Sequence, residues 1–301
     1  MLLIRRLALF VCALVATAAI VPAAAAPTSA APAYTQSSAA ADALPCSIVD
    51  RGAVVRDSAG PLRVVTFNVH YGADVPALVR TVRESRRLRA ADVLLLQEIE
   101  QYPGDDRPRA LAAALGLNLV YAPARPAGNG THGLAILSRL PLHDLEVVGL
   151  HRYDLVYSTR RRIALGATVD VDGRPLRIFN VHLDTRLAPQ ERMDQLEPVA
   201  ARASQSPRAI VGGDVNTINC IASLLPALPI PLPGNEQGPL LDRFMQAHGF
   251  ASPLEFVGAT GPLGMRLDAL YVKGVRVAGA GKEDTGSVSD HLPLWMDVAP
   301  N

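Results

Sequence analysis

Eight apolar runs rich in β-branched residues divide this chain, and they limit its fold more than any other feature. They read "LRVVTFNV", "DVLLLQEI", "GLAILS", "RIALGATVDV", "PLRIFNVHL", "RAIVGGDV", "LDALYVKGVRVAGA" and "LPLWMDV". Runs of this length and composition predict β-strands. Helical periodicity predicts helices between some of them, at 75–89, 107–115, 190–204 and 240–248.

The connections between the runs indicate how the strands are arranged. Helical segments separate some strands, whereas the Asp-Gly pair in "VDVDGRPLRI" predicts a hairpin between two others. A purely parallel sheet would place a helix after nearly every strand. We therefore predict an α/β (α+β) fold, a four-layer α/β sandwich in which two packed mixed β-sheets are flanked by helices.

The N-terminus predicts export. Residues 1–26 begin with a basic pair, Arg5 and Arg6, continue as an apolar run and end in alanines, which is typical of a secretory signal peptide. An uncleaved anchor is the alternative, but the run is short for a membrane span. Residues 27–45, rich in Ala, Pro and Ser, predict a flexible linker, and 46–301 a single domain. We expect a secreted or periplasmic monomer with no stable membrane span after cleavage.

Charge and cysteine content narrow the functional class. Without residues 1–26 the chain has 27 basic and 28 acidic residues, a net charge of −1, and it contains two lysines. This balance does not predict a non-specific polyanion binder.

Two cysteines, Cys46 and Cys220, remain once residues 1–26 are removed, and in an oxidising compartment they form either a disulfide or two separate thiols. The cysteine and histidine spacing of a zinc site is absent.

Polar side chains interrupt or end most of the apolar runs. Any one of them, taken singly, could be a turn residue or a hydrogen-bonded core residue. Burying so many without partners would cost a few kcal/mol each, which makes chance scatter unfavourable. If the strand ends converge, these groups form a cluster that suits a hard, oxygen-liganded metal such as Mg²⁺ rather than zinc. The residues are Asn68, Glu98, Asn180, His182, Asp184, Asp214, Asn216, Asp268, Asp290 and His291.

Seven motifs carry a resemblance to a known family. They are "TFNVHYG", "LLLQEIE", "HGLAILSRLPL", "FNVHLDTR", "GGDVN", "RLDALYV" and "SDHLPLWMDV". In this order, over about 62–298, the sequence resembles the endonuclease/exonuclease/phosphatase superfamily of deoxyribonucleases, apurinic endonucleases, sphingomyelinases and inositol phosphatases. Each motif is weak singly, whereas the ordered set is specific. The resemblance implies that 46–301 is a catalytic domain of this type.

The resemblance also implies a metal site. Glu98 would be the main Mg²⁺ ligand, Asn68 would support the metal or a phosphate oxygen, and Asp290 would bind the metal directly or through water. Mn²⁺ or Ca²⁺ could replace Mg²⁺ in such a site.

The remaining roles implied by the resemblance concern phosphate and water. His182 would donate to phosphate oxygens and Asn216 would bind the phosphoryl group. Asp214 would orient or help deprotonate the attacking water. His291 would act as general base or electrostatic partner, and Asp268 would fix its orientation.

The function we expect is that of a secreted Mg²⁺-dependent phosphoesterase, a phosphodiesterase or phosphatase acting on a small or lipid-linked phosphoester. The alternatives are a secreted endonuclease acting on DNA or RNA and a catalytically inactive binding module. The near-neutral charge favours the first, since a nuclease needs cationic groups along a groove. The apolar segment "CIASLLPALPIPLPG" that follows Asn216 predicts either a buried loop or an apolar lip beside the site.

Three further expectations concern neighbouring segments. No catalytic tyrosine can be matched securely, although Tyr153 or Tyr157 could reach the phosphate. Most of the run 160–162, three arginines, is expected to be solvated. Gly212 and Gly213 are expected to let backbone and ligand approach closely.

Overall fold

The computed structural model describes residues 46–52, 60–153, 160–185, 187–217 and 237–299. The predicted signal peptide and linker, residues 1–45, lie outside the described residues, as do Cys220, Tyr157 and the apolar segment after Asn216. Cys46 is exposed. None of the helices in the described ranges is long and apolar enough to cross a membrane.

Thirteen strands build the described part of the chain. In chain order they are β1 (Ser47–Val49), β2 (Leu62–Tyr71), β3 (Val93–Tyr102), β4 (Asp105–Asp106), β5 (Asn118–Ala127), β6 (Gly130–Ser138), β7 (His143–Gly149), β8 (Ile163–Val171), β9 (Arg174–His182), β10 (Ala209–Asp214), β11 (Asp268–Lys273), β12 (Arg276–Lys282) and β13 (Leu294–Ala299). One eight-stranded sheet has the order β1-β5-β6-β3-β2-β13-β12, with β4 beside β3. The second sheet has the order β11-β10-β9-β8-β7.

The helices lie where the periodicity placed them, with one difference. They are α1 (Val75–Glu84), α2 (Arg86–Arg89), α3 (Arg107–Leu115), α4 (Pro189–Ser204) and α5 (Gln237–Ala247). The single helix expected over 75–89 is wrong, because Ser85 is extended and separates α1 from α2. Its side chain accepts a hydrogen bond from Leu88 N and so caps the second helix.

The packing confirms the predicted four-layer sandwich. One apolar cluster lies between the facing sheets and includes Leu95 and Ile136 from the first sheet and Leu165 from the second. A second cluster joins the outer face of the first sheet to α1, α2 and α3. A third joins the outer face of the second sheet to α4 and α5. Both sheets contain parallel and antiparallel pairs, as expected for mixed sheets.

Two connections show how local sequence selects the topology. Asp172 and Gly173 both have positive φ, 53° and 71°, and form the predicted hairpin between β8 and β9. The run "LDALYVKGVRVAGA" is two strands rather than one. It turns at Gly274, whose φ is 65°, and passes from the second sheet at β11 to the first at β12.

The paired glycines of β10 serve packing between strands, which corrects the expectation that they admit a ligand. A Cβ on Gly213 would lie 1.9 Å from the carbonyl oxygen of Val181 in the neighbouring strand. A Cβ on Gly212 would lie 2.4 Å from a methyl of Leu270 and 3.1 Å from Leu95 of the facing sheet. The two glycines therefore let β10 fit tightly between its neighbours and hold the residue that follows them in place.

Candidate active site

The polar ends of the strands meet where the two sheets face each other. β2 and β3 are parallel neighbours in the first sheet, and β9 and β10 are parallel neighbours in the second. His182 and Asp214 end β9 and β10, and Asn68 and Glu98 lie in the carboxyl halves of β2 and β3, so the four side chains are presented to one region. Asn68 Nδ2 donates to Asp214 Oδ2 at 2.9 Å and so links the two sheets within the site.

Beneath this region a buried amide network joins the sheets. Asn180 Nδ2 donates to the carbonyl oxygens of Leu96 and Ala135, both at 2.9 Å. Gln97 Nε2 donates to Asn180 Oδ1 at 2.7 Å and to Thr66 Oγ1 at 3.0 Å. Asn180 is therefore a structural link between the sheets, and it fixes the separation of the strand ends above it.

The second sheet contributes three adjacent residues. Register places Asp214 beside His182 on one side and beside Asp268 on the other. His182 Nε2 lies 3.4 Å from Asp214 Oδ2 and 3.8 Å from Glu98 Oε1. His182, Asp214 and Asp268 are all buried, so their charges interact through protein rather than through water.

His291 reaches this group from the loop before β13. Its Nδ1 lies 2.9 Å from Asp268 Oδ2, and its Nε2 lies 3.8 Å from Asp214 Oδ2. Ser289 Oγ donates to the Asn68 carbonyl oxygen at 2.7 Å and accepts from His291 N at 3.1 Å, which fixes the loop to β2. Asp268 thus holds Nδ1 of the ring, and Nε2 is directed at Asp214.

The electrostatics give the two histidines opposite protonation states. Burial lowers the pKa of His291, but the charge and hydrogen bond of Asp268, together with Asp214, raise it to about 10. Burial, followed by the charge of Arg162, holds the pKa of His182 well below its usual range. Burial raises the pKa of Asp214 despite the opposing charge of His291. The site therefore combines an imidazolium, a neutral imidazole and a carboxylate with raised proton affinity.

Glu98 lies at an irregularity in β3. Its φ is 57°, unusual for a residue with a side chain, and the register shifts between Leu96 and Ile99 against β6. The distortion turns the partly exposed carboxylate out of the strand pattern and towards His182. Strained backbone of this kind persists only where the surrounding structure holds it.

Asn216 and Asp290 have other partners. Asn216 is buried with φ 51°; its Nδ2 donates to the Leu183 carbonyl oxygen at 2.9 Å, and its backbone N donates to Asp214 Oδ1 at 3.0 Å. It therefore holds the β10 turn against the segment after β9. Asp290 is half-exposed and pairs with His70 Nδ1 at 3.1 Å, at the rim of the site. The other six predicted residues, Asn68, Glu98, His182, Asp214, Asp268 and His291, form a connected group.

The donor set fits a divalent cation. Ligand atoms within 4.8 Å of one another come from two groups, Glu98 with His132 and His182, and Asp214 with Asp268 and His291. Within the described ranges, Asp268 Oδ1 is buried and has no hydrogen-bond partner. Carboxylate oxygens beside neutral imidazole are suitable ligands for such an ion.

Sequence reasoning missed two residues at the site. His132, inside the quoted motif "HGLAILSRLPL", was given no role because it precedes an ordinary strand pattern. Arg162 was expected to be solvated with its neighbours, but it is only 7 % exposed. Burial lowers the pKa of its guanidinium, although the charges of Asp184, Asp214 and Glu98 oppose that shift. The feature that could have identified Arg162 is its position directly before a strand whose first seven residues are buried.

Tyr153, which the sequence left as a candidate to reach the phosphate, contacts α4 in this structure. Its hydroxyl donates to the Glu191 carbonyl oxygen at 3.1 Å, which attaches the segment before β8 to α4. The ring is buried and stacks edge-on with His151 at 4.5 Å.

Comparisons with known proteins agree with this geometry. The Escherichia coli (strain K12) protein YbhP, described as uncharacterized, is 26 % identical over 264 residues, which cover 78 % of this chain and 95 % of YbhP. An endonuclease/exonuclease/phosphatase from Beutenbergia cavernae superposes with a TM-score of 0.62 at 21 % identity, covering 80 % of this chain and 72 % of that one. The 3′ phosphatase NExo from Neisseria, solved with a product DNA hairpin, gives 0.57 at 17 % identity, with coverage of 79 % and 99 %.

A match over most of the sequence identifies the family. The Endonuclease/Exonuclease/phosphatase family matches residues 65–291, from β2 to the histidine that contacts Asp268. That span contains all eight residues to which the resemblance assigned a role. This chain belongs to the endonuclease/exonuclease/phosphatase family, whose members are metal-dependent phosphoesterases and nucleases.

Proposed function

We propose that this protein is an exported, divalent-cation-dependent phosphoesterase that hydrolyses a small or lipid-linked phosphoester. The observation that carries the proposal is the continuous group of contacts from Glu98 through His182 and Asp214 to His291 and Asp268, which spans both sheets. A purely structural role would not require two carboxylates and two histidines to be buried together, since each costs free energy to desolvate.

Glu98 and Asn68 would hold the cation, with Mg²⁺ as the expected ion. A bound divalent cation neutralises charge on the phosphoryl oxygens and the leaving oxygen. Asp290, which pairs with His70 at the rim, would act through water rather than by direct contact.

Asp214 would accept a proton from the attacking water. Its raised pKa, caused by burial, suits proton transfer near neutral pH better than that of a solvated carboxylate. Asn68 Nδ2 fixes Oδ2, and the backbone N of Asn216 fixes Oδ1, so the carboxylate has one orientation. Orientation of this kind lowers the entropic part of the barrier.

His291 would stabilise the charge that develops on the phosphoryl group. With a pKa of about 10 it is an imidazolium at neutral pH, which favours the electrostatic role over that of a general base. His182, neutral and buried, would donate a hydrogen bond to a phosphoryl oxygen. Arg162 would add a fixed positive charge on the same side.

The substrate class is argued from charge. The chain is near neutral, because its 29 lysines and arginines are balanced by 28 acidic residues, so it carries no large excess of the cations that hold long DNA. Nucleic acid remains the second candidate, because Arg125, Arg160 and Arg162 all act electrostatically on His132 at the site. Because the Neisseria protein of the same fold was solved with a DNA hairpin, DNA and RNA are included among the substrates to be tested.

A substrate panel tests the proposal. Full-length exported protein would be assayed with Mg²⁺ on bis-(p-nitrophenyl) phosphate, sphingomyelin, inositol phosphates, plasmid DNA and RNA. We expect hydrolysis of a small or lipid-linked ester, abolished in Glu98→Gln and retained in the matched control Glu197→Gln, whose carboxylate is half-exposed. Efficient DNA nicking that weakens steeply with salt would instead establish the nuclease. No hydrolysis of any ester would favour an inactive binding module.

A further inference from the structure

Five arginines line a pocket at the end of the strands opposite the active site. The pocket has a volume of about 520 Å³, within the range of small-molecule sites. It lies where β2 and β3 begin and where β6 ends, and Asp92 and Asp297 also line it. β2 runs from this pocket to Asn68 in the active site, and about 16 Å of strand separates the two. The arginines are Arg63, Arg86, Arg87, Arg89 and Arg139.

The fold holds three of these arginine side chains in place. Arg63 Nε and Nη2 donate to the two carboxylate oxygens of Asp297, at 2.6 and 2.7 Å. Arg139 Nε and Nη2 donate to two backbone carbonyl oxygens, both at 3.1 Å. The guanidinium of Arg87 lies 4.2 Å from the centroid of the Trp295 ring. Guanidiniums that are already held in this way lose little conformational entropy when they bind a ligand.

The acids of the pocket do not balance its cations. Asp297 pairs with Arg63, and Asp92 Oδ2 accepts from the backbone N of Arg63 at 2.8 Å. The guanidiniums of Arg86 and Arg87 have no hydrogen bond or ion pair within the described ranges. Five arginines and two aspartates give the described lining a net charge of +3. Because like charges held together repel one another, an anion bound among them would relieve that repulsion.

We propose that this arginine pocket binds a soluble anion with two adjacent phosphate groups, a diphosphate. A planar guanidinium presents paired N–H donors that match phosphate oxygens, and it stays charged throughout the physiological pH range. One phosphate group carries a charge of about −1.5 to −2 at pH 7, so two of them match the lining charge of +3. The pocket is concave, which suits a compact anion better than a flat lipid surface does. This second site is independent of the proposed function.

The pocket contains a built-in reporter of binding. Trp295 is the one tryptophan in the sequence, and its ring centroid lies 4.2 Å from the guanidinium of Arg87 and 5.1 Å from that of Arg63. An anion that binds Arg87 changes the charge beside the indole ring and therefore its fluorescence emission.

A fluorescence titration tests the proposal directly. Full-length protein in EDTA, which keeps divalent cations out of the active site, would be titrated with sodium pyrophosphate, sodium phosphate and sodium chloride at matched ionic strength. We expect a saturable change in Trp295 emission with pyrophosphate. Its affinity should exceed that of phosphate at least about tenfold, the scale of one added hydrogen bond between charged groups.

Variants locate the binding site. Arg86→Gln should weaken pyrophosphate binding about tenfold, because it removes an exposed cation of the pocket and keeps the contact between Arg87 and Trp295. Arg87→Gln should weaken binding similarly, and calorimetry would measure it because this substitution also changes the reporter. The matched control is Arg109→Gln on α3, whose side chain is 55 % exposed. Arg162→Met removes a cation from the active site and should leave the pyrophosphate affinity unchanged.

A sedimentation assay separates a soluble ligand from a lipid. The protein would be sedimented with vesicles of phosphatidylglycerol and of phosphatidylcholine. Retention on phosphatidylglycerol without a saturable response to pyrophosphate would overturn the soluble ligand in favour of a membrane contact. Equal affinities for phosphate and pyrophosphate, a response that chloride reproduces, or unchanged affinity in folded Arg86→Gln and Arg87→Gln would also overturn the proposal. Loss of the response in folded Arg162→Met would assign the anion to the active site and overturn the second site.

Discussion

Replacing Asp268 by Asn tests the electrostatic core of the site. The substitution keeps an oxygen that accepts from His291 Nδ1, at the position where Oδ2 now lies 2.9 Å away, but it removes the negative charge. Burial, which lowers the pKa of His291, would then be opposed by the charges of Asp214 and Asp290 without that of Asp268. We expect the pKa of the ring to fall while its orientation stays the same.

The size of the effect on the free energy of unfolding follows from the raised pKa of His291. A value of about 10 against the ordinary 6.5 corresponds to about 4–5 kcal/mol at about 1.4 kcal/mol per unit. Because the folded-state pKa of His291 lies above its unfolded-state value, the stabilisation is fully present below pH 6.5 and is lost as the pH rises through about 10. The difference in free energy of unfolding between the native protein and Asp268→Asn should therefore shrink from pH 6 to pH 10.

Two assays check this prediction. Imidazole resonances followed by NMR should show His291 protonated beyond pH 9 in the native protein and losing its proton at a clearly lower pH in Asp268→Asn. Hydrolysis at pH 7 should fall about 10²–10³-fold in the variant, the scale of a lost electrostatic contact in a transition state. Asp144→Asn is the control, because Asp144 pairs with His143 at 3.0 Å but is 74 % exposed. A native His291 that titrates near 6.5, or an Asp268→Asn protein with unchanged activity, would refute the reasoning.

Three further predictions concern packing and substrate charge. Gly213→Ala places a Cβ against the Val181 carbonyl and should lower the melting temperature well beyond Gly173→Ala, whose Cβ meets nothing within 4 Å; thermal denaturation compares them. Asn180→Leu removes the donor to the buried carbonyls of Leu96 and Ala135 and one acceptor of Gln97 Nε2, and should cost about 3 kcal/mol in urea unfolding; a loss below about 1 kcal/mol would contradict the link between the sheets. Arg162→Met should lower kcat/KM for an anionic ester about tenfold or more in steady-state kinetics, and an unchanged value would exclude a role in binding.

Part of the site could be predicted because His182 and Asp214 end β9 and β10. A strand end places its side chain at a sheet edge whatever the rest of the fold does, so both were identifiable from short motifs. Glu98 was also identified from its motif, but it lies inside β3 at a register shift rather than at the strand's end. The contact between Asp268 and His291 was also anticipated, but only through the family resemblance, since 23 residues separate them. Their roles in catalysis stay predictions until the variants are measured.

The elements that sequence reasoning missed have physical explanations. β5 contains Pro123 and Pro126, which argue against a strand, and the structure tolerates Pro123 at a register shift between it and Arg125. β7 carries few buried residues because it is an edge strand, so its apolar pattern is weak. The break at Ser85 is set by a single hydroxyl cap, a feature that helical periodicity does not register.

The partners of buried polar residues were the hardest to predict. Arg162 looked like one of three surface arginines, and only the three-dimensional arrangement places it among acids from three different strands and loops. His132 is similar, because its neighbours Glu98 and His182 lie 34 and 50 residues away in the chain. Local patterns identify which side chains face a core, but they do not identify the groups that those side chains meet across two sheets.

The most direct test of the central claim is the dependence of hydrolysis on a divalent cation held by Glu98. Initial rates on bis-(p-nitrophenyl) phosphate would be measured for the native protein and for Glu98→Gln, with Mg²⁺ or Mn²⁺ and with EDTA. Our account predicts hydrolysis by the native protein that EDTA abolishes and added cation restores, and loss of about 10²-fold or more in the variant, the scale of losing a Lewis-acid contribution. Hydrolysis unaffected by EDTA, with full activity in folded Glu98→Gln, would contradict it.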